Sequence, residues 1–311
     1  MTKLKTQAAK ESLLRRMRRQ RLRSITVLPS LITLLNGVCG FAAIAFASNP
    51  TSFNGQMTNF AAAGYMVLLA MIADMLDGRI ARMSKSTSSF GGQLDSLCDI
   101  ISFGIAPAFI MFKMLDIKLN VFNDINPALS NLLHHFVWLA AVVYISCAAI
   151  RLARFNVENE EDESAHMSFI GLPTPAAAGV TVSLVIFHQE ILPKLLENHS
   201  GIYDVCDNII ISALPILLFF TAILMVSRIR YPHIVNQYIK GRKPFAHLIR
   251  IILAIGLILW GREIALVVVF CGFAATGFVK WIYNKMSRDK STVPENQNGE
   301  SVTSATPQIL Q

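Results

Sequence analysis

The amino-acid sequence predicts an all-α fold, a polytopic transmembrane helical bundle of about eight spans, with six or seven also possible. Three observations carry that expectation. Of 311 residues, 53% are hydrophobic and only 15% charged, well below the roughly 25% charged of a soluble domain. Apolar stretches long enough to cross a hydrocarbon core of ~30 Å recur along the chain. Lysine and arginine gather in alternate connections, as a chain threading back and forth through a bilayer requires.

Residues 1–26 read as a basic cytoplasmic segment. Within it, residues 8–26 interleave Leu13, Leu14, Met17 and Leu22 with seven basic side chains. That is the pattern of an interfacial helix on anionic headgroups, or of a plain positive-inside anchor. The basic stretch is too long, and the first apolar run starts too late, for a cleaved secretory signal. The transmembrane domain is expected over 27–286, with spans near 27–48, 58–83, 92–115, 131–153, 172–192, 208–227, 247–260 and 264–284. The seventh is short and ends at Gly261-Arg262-Glu263, so it is either tilted or one arm of a helical hairpin with the eighth. Residues 287–311 are polar, contain Pro294 and Pro307, and predict a disordered tail.

With the N-terminus in the cytoplasm, only Lys113, Lys118, Lys194 and Arg262 of the 28 lysines and arginines fall outside. This asymmetry supports an even number of spans and cytoplasmic N- and C-termini for an integral membrane protein in contact with membrane lipids. The net charge of +8 is explained by basic residues at membrane edges, and no nucleic acid is expected as a partner. The five cysteines, Cys39, Cys98, Cys147, Cys206 and Cys271, are scattered, which implies neither a disulfide framework nor a CxxC site.

From Asp74 to Asp99 the chain reads DMLDGRIARMSKSTSSFGGQLDSLCD, the pattern D-x2-D-G-x2-A-R-x8-G-x3-D-x3-D. Asp74 and Asp77 are spaced i,i+3 and Asp95 and Asp99 i,i+4, so each pair shares one face of a helix. Gly78, Ala81 and Arg82 follow on the stripe of the first pair. Crowded anions in a low-dielectric setting call for neutralising cations. All-oxygen ligation without a Cys or His cluster suits Mg2+ or Mn2+. Four acids suffice for two ions, the clamp that stabilises attacking and leaving oxygens in displacement at phosphorus. The polar stretch MSKSTSSFGG, closed by Gly91 and Gly92, reads as the loop joining the two aspartate helices at a cytoplasmic nucleotide mouth.

The pattern resembles the signature of the CDP-alcohol phosphatidyltransferase family, and all eight fixed positions match. The resemblance implies metal ligation by Asp74, Asp77, Asp95 and Asp99, with Asp99 also the general base and therefore the catalytic residue. It further implies that Gly78, Arg82 and Ser88 contact the CDP part of a CDP-linked lipid. Span one carries a similar P-x3-T-x2-N stretch, which implies that Thr33 and Asn36 lie beside the CDP-diphosphate. The family also implies a homodimer.

Span four ends in RLARFN and is followed by GLPTPAAA, close to the segments of serine-accepting members of the family. This implies transfer of a phosphatidyl group from CDP-diacylglycerol to L-serine, giving phosphatidylserine and CMP, with Arg151 or Arg154 holding the serine carboxylate by a forked pair of hydrogen bonds. The plain alternative for these arginines is anchorage of a helix end. Other acceptors stay open at this point: glycerol 3-phosphate, inositol or its phosphate, or a second phospholipid. From another class, a cation transporter would also use intramembrane acids. The acidic run Glu158 to Glu163 reads as a solvated loop. No histidine is followed two residues later by lysine, so the H-x-K-x4-D pattern of covalent-histidine chemistry is excluded, and none of the dispersed histidines is assigned a role.

Overall fold

The structure is a computed structural model that describes residues 30–49, 52–53, 57–84, 89–123, 127–161, 169–195, 200–231 and 261–291, apart from some side chains at helix ends. Helix α1 spans Ser30–Ser48 and α2 spans Asn59–Ser84. Helix α3, Ser89–Asp99, passes through a π-helical turn at Ile100–Ile105 into α4, Ala106–Asn123. Helix α5 covers Pro127–Glu161 and α6 Thr174–Ile186. A second π-helical turn, Phe187–Ile191, leads into the short α7, Leu192–Leu195. Helices α8, Ser200–Val226, and α9, Arg262–Ser291, complete the set.

Seven stretches among the described residues are long and apolar enough to cross a membrane. They match the expected spans one to six and eight, and the chain is an integral membrane protein with an all-helical bundle. The expected span at 247–260 and the basic segment 1–26 lie outside the described residues. Besides helix, these residues hold two ladders of two residues per strand: Ser52–Phe53 with Met57–Thr58, and Phe169–Ile170 with Arg230–Tyr231.

Three boundaries differ from expectation. Helix α5 continues to Glu161, so Arg151 and Arg154 lie inside a helix and the acidic run begins as helix. Strong helix formers such as Leu, Ala, Arg and Glu carry it on beyond the apolar stretch. Helix α9 continues to Ser291, so residues 287–291 are helical. Gly91 and Gly92 lie in the opening turns of α3 rather than in a loop.

Helix α6 occupies the centre. Ala177, Ala178, Gly179, Val180, Thr181, Val182, Ser183 and Val185 are all buried, and a helix apolar around its whole circumference is one enclosed by others. It packs against α2, α8 and α9. Much of the core is alanine, including Ala43, Ala63, Ala70, Ala106, Ala148 and Ala178. Small residues allow the close backbone approach on which helix association in lipid depends. The outward faces are the apolar ones: Leu31, Leu35, Val38 and Phe41 on α1, and Leu69, Ile72, Met75 and Leu76 on α2, are exposed.

A polar cluster around the buried His188 and Asp207 ties four helices together at one end of the bundle. His188 donates from Nε2 to Asp207 Oδ1 at 2.6 Å and accepts at Nδ1 from Gln189 at 3.0 Å. Lys118 of α4 pairs with the other oxygen of Asp207, and Tyr65 of α2 donates to Glu190 at 3.3 Å. At the other end, Gly171 holds φ +82°, a left-handed turn for which glycine is suited. Its N–H donates to the Ile229 carbonyl at 2.8 Å and the Leu172 N–H to that of Leu224 at 3.0 Å. These bonds stitch the start of α6 to the end of α8.

Candidate active site

Four aspartates stand at the end of the bundle opposite the His188 cluster. Asp74 and Asp77 lie in the second half of α2, and Asp95 and Asp99 in the second half of α3. One carboxylate oxygen from each of Asp74, Asp95 and Asp99 lies within 4.8 Å of the other two. Asp77 stands just outside that triangle, near enough for its charge to act on all three. The structure thus brings three of the four predicted ligands into one cluster, with the fourth beside them.

Asp77 is 4% exposed and Asp99 7%, whereas Asp74 and Asp95 are half-buried. The two buried carboxylates are held by α1. Asn36 donates from Nδ2 to Asp99 Oδ1 at 2.8 Å, and the Thr33 side chain lies beside the Asp77 carboxylate. Two buried carboxylate oxygens, Asp77 Oδ2 and Asp95 Oδ1, keep no hydrogen-bond partner. Among the described side chains no lysine or arginine ion-pairs with any of the four; the ion pairs found there involve Asp116 and Asp207. Buried anions without partners are costly, so clustered oxygens with free lone pairs fit a divalent cation.

Helix α1 reaches this position through a close seam. A Cβ at Gly40 would collide with the backbone of Ser102, and one at Gly37 would lie 3.0 Å from Cys98 Sγ. The Ser102 hydroxyl donates to the Asn36 carbonyl at 2.8 Å. The π-helical turn directly follows Asp99, and the buried Tyr144 hydroxyl of α5 donates to the Phe103 carbonyl at 3.0 Å. Such turns leave carbonyls needing partners and are frequent at functional sites.

The other predicted residues are placed as follows. Gly78 is half-buried, and a Cβ there would meet no atom within 4 Å. Arg82 lies on α2, its side chain outside the described set, and Ser88 is outside it altogether. Arg151 is half-buried and Arg154 exposed, one turn apart on α5. Two residues escaped the sequence reading: Asn156 of the RLARFN segment donates to Ser96 Oγ at 2.9 Å, which fastens α5 to the aspartate helix between Asp95 and Asp99. Their signal was only position, a polar residue flanking each motif.

Comparison with known proteins places the chain among relatives. Residues 26–227 match the CDP-alcohol phosphatidyltransferase family. The chain is 30% identical over 256 residues, 82% of its length and 91% of the relative's, to a CDP-diacylglycerol–serine O-phosphatidyltransferase of Helicobacter pylori. It is 30% identical over 216 residues, 70% of its length and 79% of the relative's, to the protein of that name from Methanocaldococcus jannaschii. With the Saccharomyces cerevisiae protein of that name it shares 34% over 158 residues, 49% of this chain and 51% of the relative. The motif, the helical membrane bundle and the match over most of the chain lead to one assignment: this protein belongs to the CDP-alcohol phosphatidyltransferase family.

Proposed function

We propose that the protein transfers the phosphatidyl group of CDP-diacylglycerol to L-serine, releasing phosphatidylserine and CMP. The observation that carries this reading is the meeting of Asp74, Asp95 and Asp99 oxygens within 4.8 Å of one another on two helices that also present lipid-facing residues. The names of the relatives, two of which align over 82% and 70% of this chain, support serine as the acceptor.

Two divalent cations, Mg2+ or Mn2+, held by Asp74, Asp77, Asp95 and Asp99, would supply neutralisation of the diphosphate and of the departing CMP oxygen. The residues of the chain do the rest. Asp99 accepts the proton of the serine hydroxyl as that oxygen bonds to the phosphatidyl phosphorus. The bond from phosphorus to the CMP oxygen breaks in the same displacement, and CMP departs with its electron pair. Gly78, whose missing side chain is not demanded by packing within the chain, leaves the nucleotide room against α2. Arg82 and Ser88 contact the CDP phosphates and ribose from the same end, and Arg151 or Arg154 holds the serine carboxylate. Residues 27–286 form the catalytic domain as a homodimer, with the aspartate end and both termini cytoplasmic.

The test is purified protein given CDP-diacylglycerol, Mn2+ or Mg2+ and a panel of alcohols: serine, glycerol 3-phosphate, inositol and inositol phosphate. Phosphatidylserine and CMP should form only with metal present. A glycerophosphate or inositol lipid formed in place of phosphatidylserine overturns the acceptor, and metal-independent turnover overturns the site.

A further inference from the structure

The aspartate motif lies wholly on α2 and α3, yet both of its deeply buried carboxylates are held from α1. Thr33 and Asn36 are one turn apart on the same face of α1. Thr33 reaches Asp77 on α2 and Asn36 reaches Asp99 on α3, so α1 lies across the groove between the aspartate helices. We infer that Thr33 and Asn36 are positioning residues that set the orientation of two ligand carboxylates, rather than contacts to the CDP-diphosphate. The inference rests on the metal-dependent reading above and extends it to a helix outside the motif.

Three observations support it. Both donors are buried, Asn36 completely and Thr33 to 5% exposure, so they are enclosed by protein. Both are neutral: a hydroxyl or amide N–H fixes a carboxylate rotamer without neutralising it, whereas a lysine or arginine would compete with the cation for the same charge. Finally, α1 cannot easily turn. Gly37 and Gly40 bring its backbone against Cys98 and Ser102, and Ser102 bonds the carbonyl of Asn36 itself. A shift of one residue along α1 would swing each donor by about 100° around the helix axis and away from its aspartate.

The groups held are those a displacement most needs fixed. Asn36 engages Oδ1 of Asp99, and Asp95 beside it keeps a buried oxygen, Oδ1, without a partner. Asp77 Oδ2 likewise has no partner, while Thr33 lies beside the carboxyl group. Outer partners that aim metal ligands change affinity by roughly 10–100-fold when removed.

The experiment measures Mn2+ binding by electron paramagnetic resonance on the purified full chain, with thermal unfolding and gel filtration as folding controls. Thr33→Val keeps the shape and removes the donor, and should weaken Mn2+ binding by roughly 10–100-fold. Thr33→Ser restores the hydroxyl and should bind near the parent value, a rescue that a packing role would not give. Asn36→Leu should weaken binding as Thr33→Val does, and Asn36→Asp should weaken it more by setting a further anion against Asp99. If Asn36→Leu does not fold, the Thr33 pair decides. Unchanged Mn2+ affinity in Thr33→Val, with KM for CDP-diacylglycerol raised, overturns the inference and returns these residues to the nucleotide. Asp74→Asn and Asp95→Asn separate the two levels of the argument. If they abolish Mn2+ binding while Thr33→Val does not affect it, only the positioning role falls; if they leave it intact, the metal reading itself falls.

Discussion

Asp99 differs from its three companions in combining deep burial, a single neutral donor on one oxygen and a place at the end of α3 where the backbone changes to a π-helical turn. A general base needs a fixed lone pair near the hydroxyl it deprotonates, and these constraints supply one. Asp99→Asn keeps the shape and removes the basicity, so turnover should fall by roughly 10²–10⁴-fold while Mn2+ stays bound through the remaining aspartates. CMP release, with metal occupancy measured on the same sample, checks this; near-parent turnover with metal bound would remove Asp99 from the role. The two aspartate pairs were legible as spacing, because i,i+3 and i,i+4 are properties of a helix alone. The partners of Asp77 and Asp99 were not, because Thr33 and Asn36 lie about 40 and 60 residues upstream and only the seam of Gly37 and Gly40 brings them near.

At the scale of elements, the spans could be read from apolar length, but their ends could not. Helix α5 outruns its apolar stretch because propensity, rather than the membrane, decides where it stops. Neither π-helical turn has a local signal: the first depends on Tyr144, from a different helix, to satisfy the Phe103 carbonyl. The His188–Asp207–Lys118 cluster was likewise invisible, since its members come from three helices. Lys118 is 19 residues beyond Asp99, about 28 Å along the helix, so the cluster braces the bundle without reaching the chemistry. Asp207→Leu leaves the buried His188 N–H without its acceptor, which costs about 1–3 kcal/mol, while the exposed Lys118 charge returns to solvent. The expected outcome is a lowered unfolding temperature in detergent with kcat/KM kept in the surviving fraction. Lost activity at unchanged stability would show that the cluster acts on the site instead.

For the molecule as a whole, charge placement predicts which side of the bilayer holds the aspartates, and the helical bundle is consistent with either orientation. The connection between α2 and α3 contains Ser86. In a background whose five native cysteines are replaced, Ser86→Cys should react with a membrane-impermeant maleimide in inverted vesicles and stay protected in intact cells. Labelling in intact cells would turn the bundle over and place the nucleotide mouth outside. Asp74 and Asp77 share α2 with the outward-facing Met75 and Leu76, and Asp99 shares α3 with the outward-facing Leu97, so the acids stand a single helix away from the surrounding acyl chains. A donor molecule with two fatty tails can therefore present its phosphorus to the enzyme while both tails stay dissolved among their neighbours. Extracting two tails of ~16 carbons into water would oppose binding by roughly 25 kcal/mol, at about 0.8 kcal/mol for each methylene. Docking sideways from the bilayer sidesteps that barrier, and the enzyme needs no greasy tunnel to reach a substrate that never leaves home.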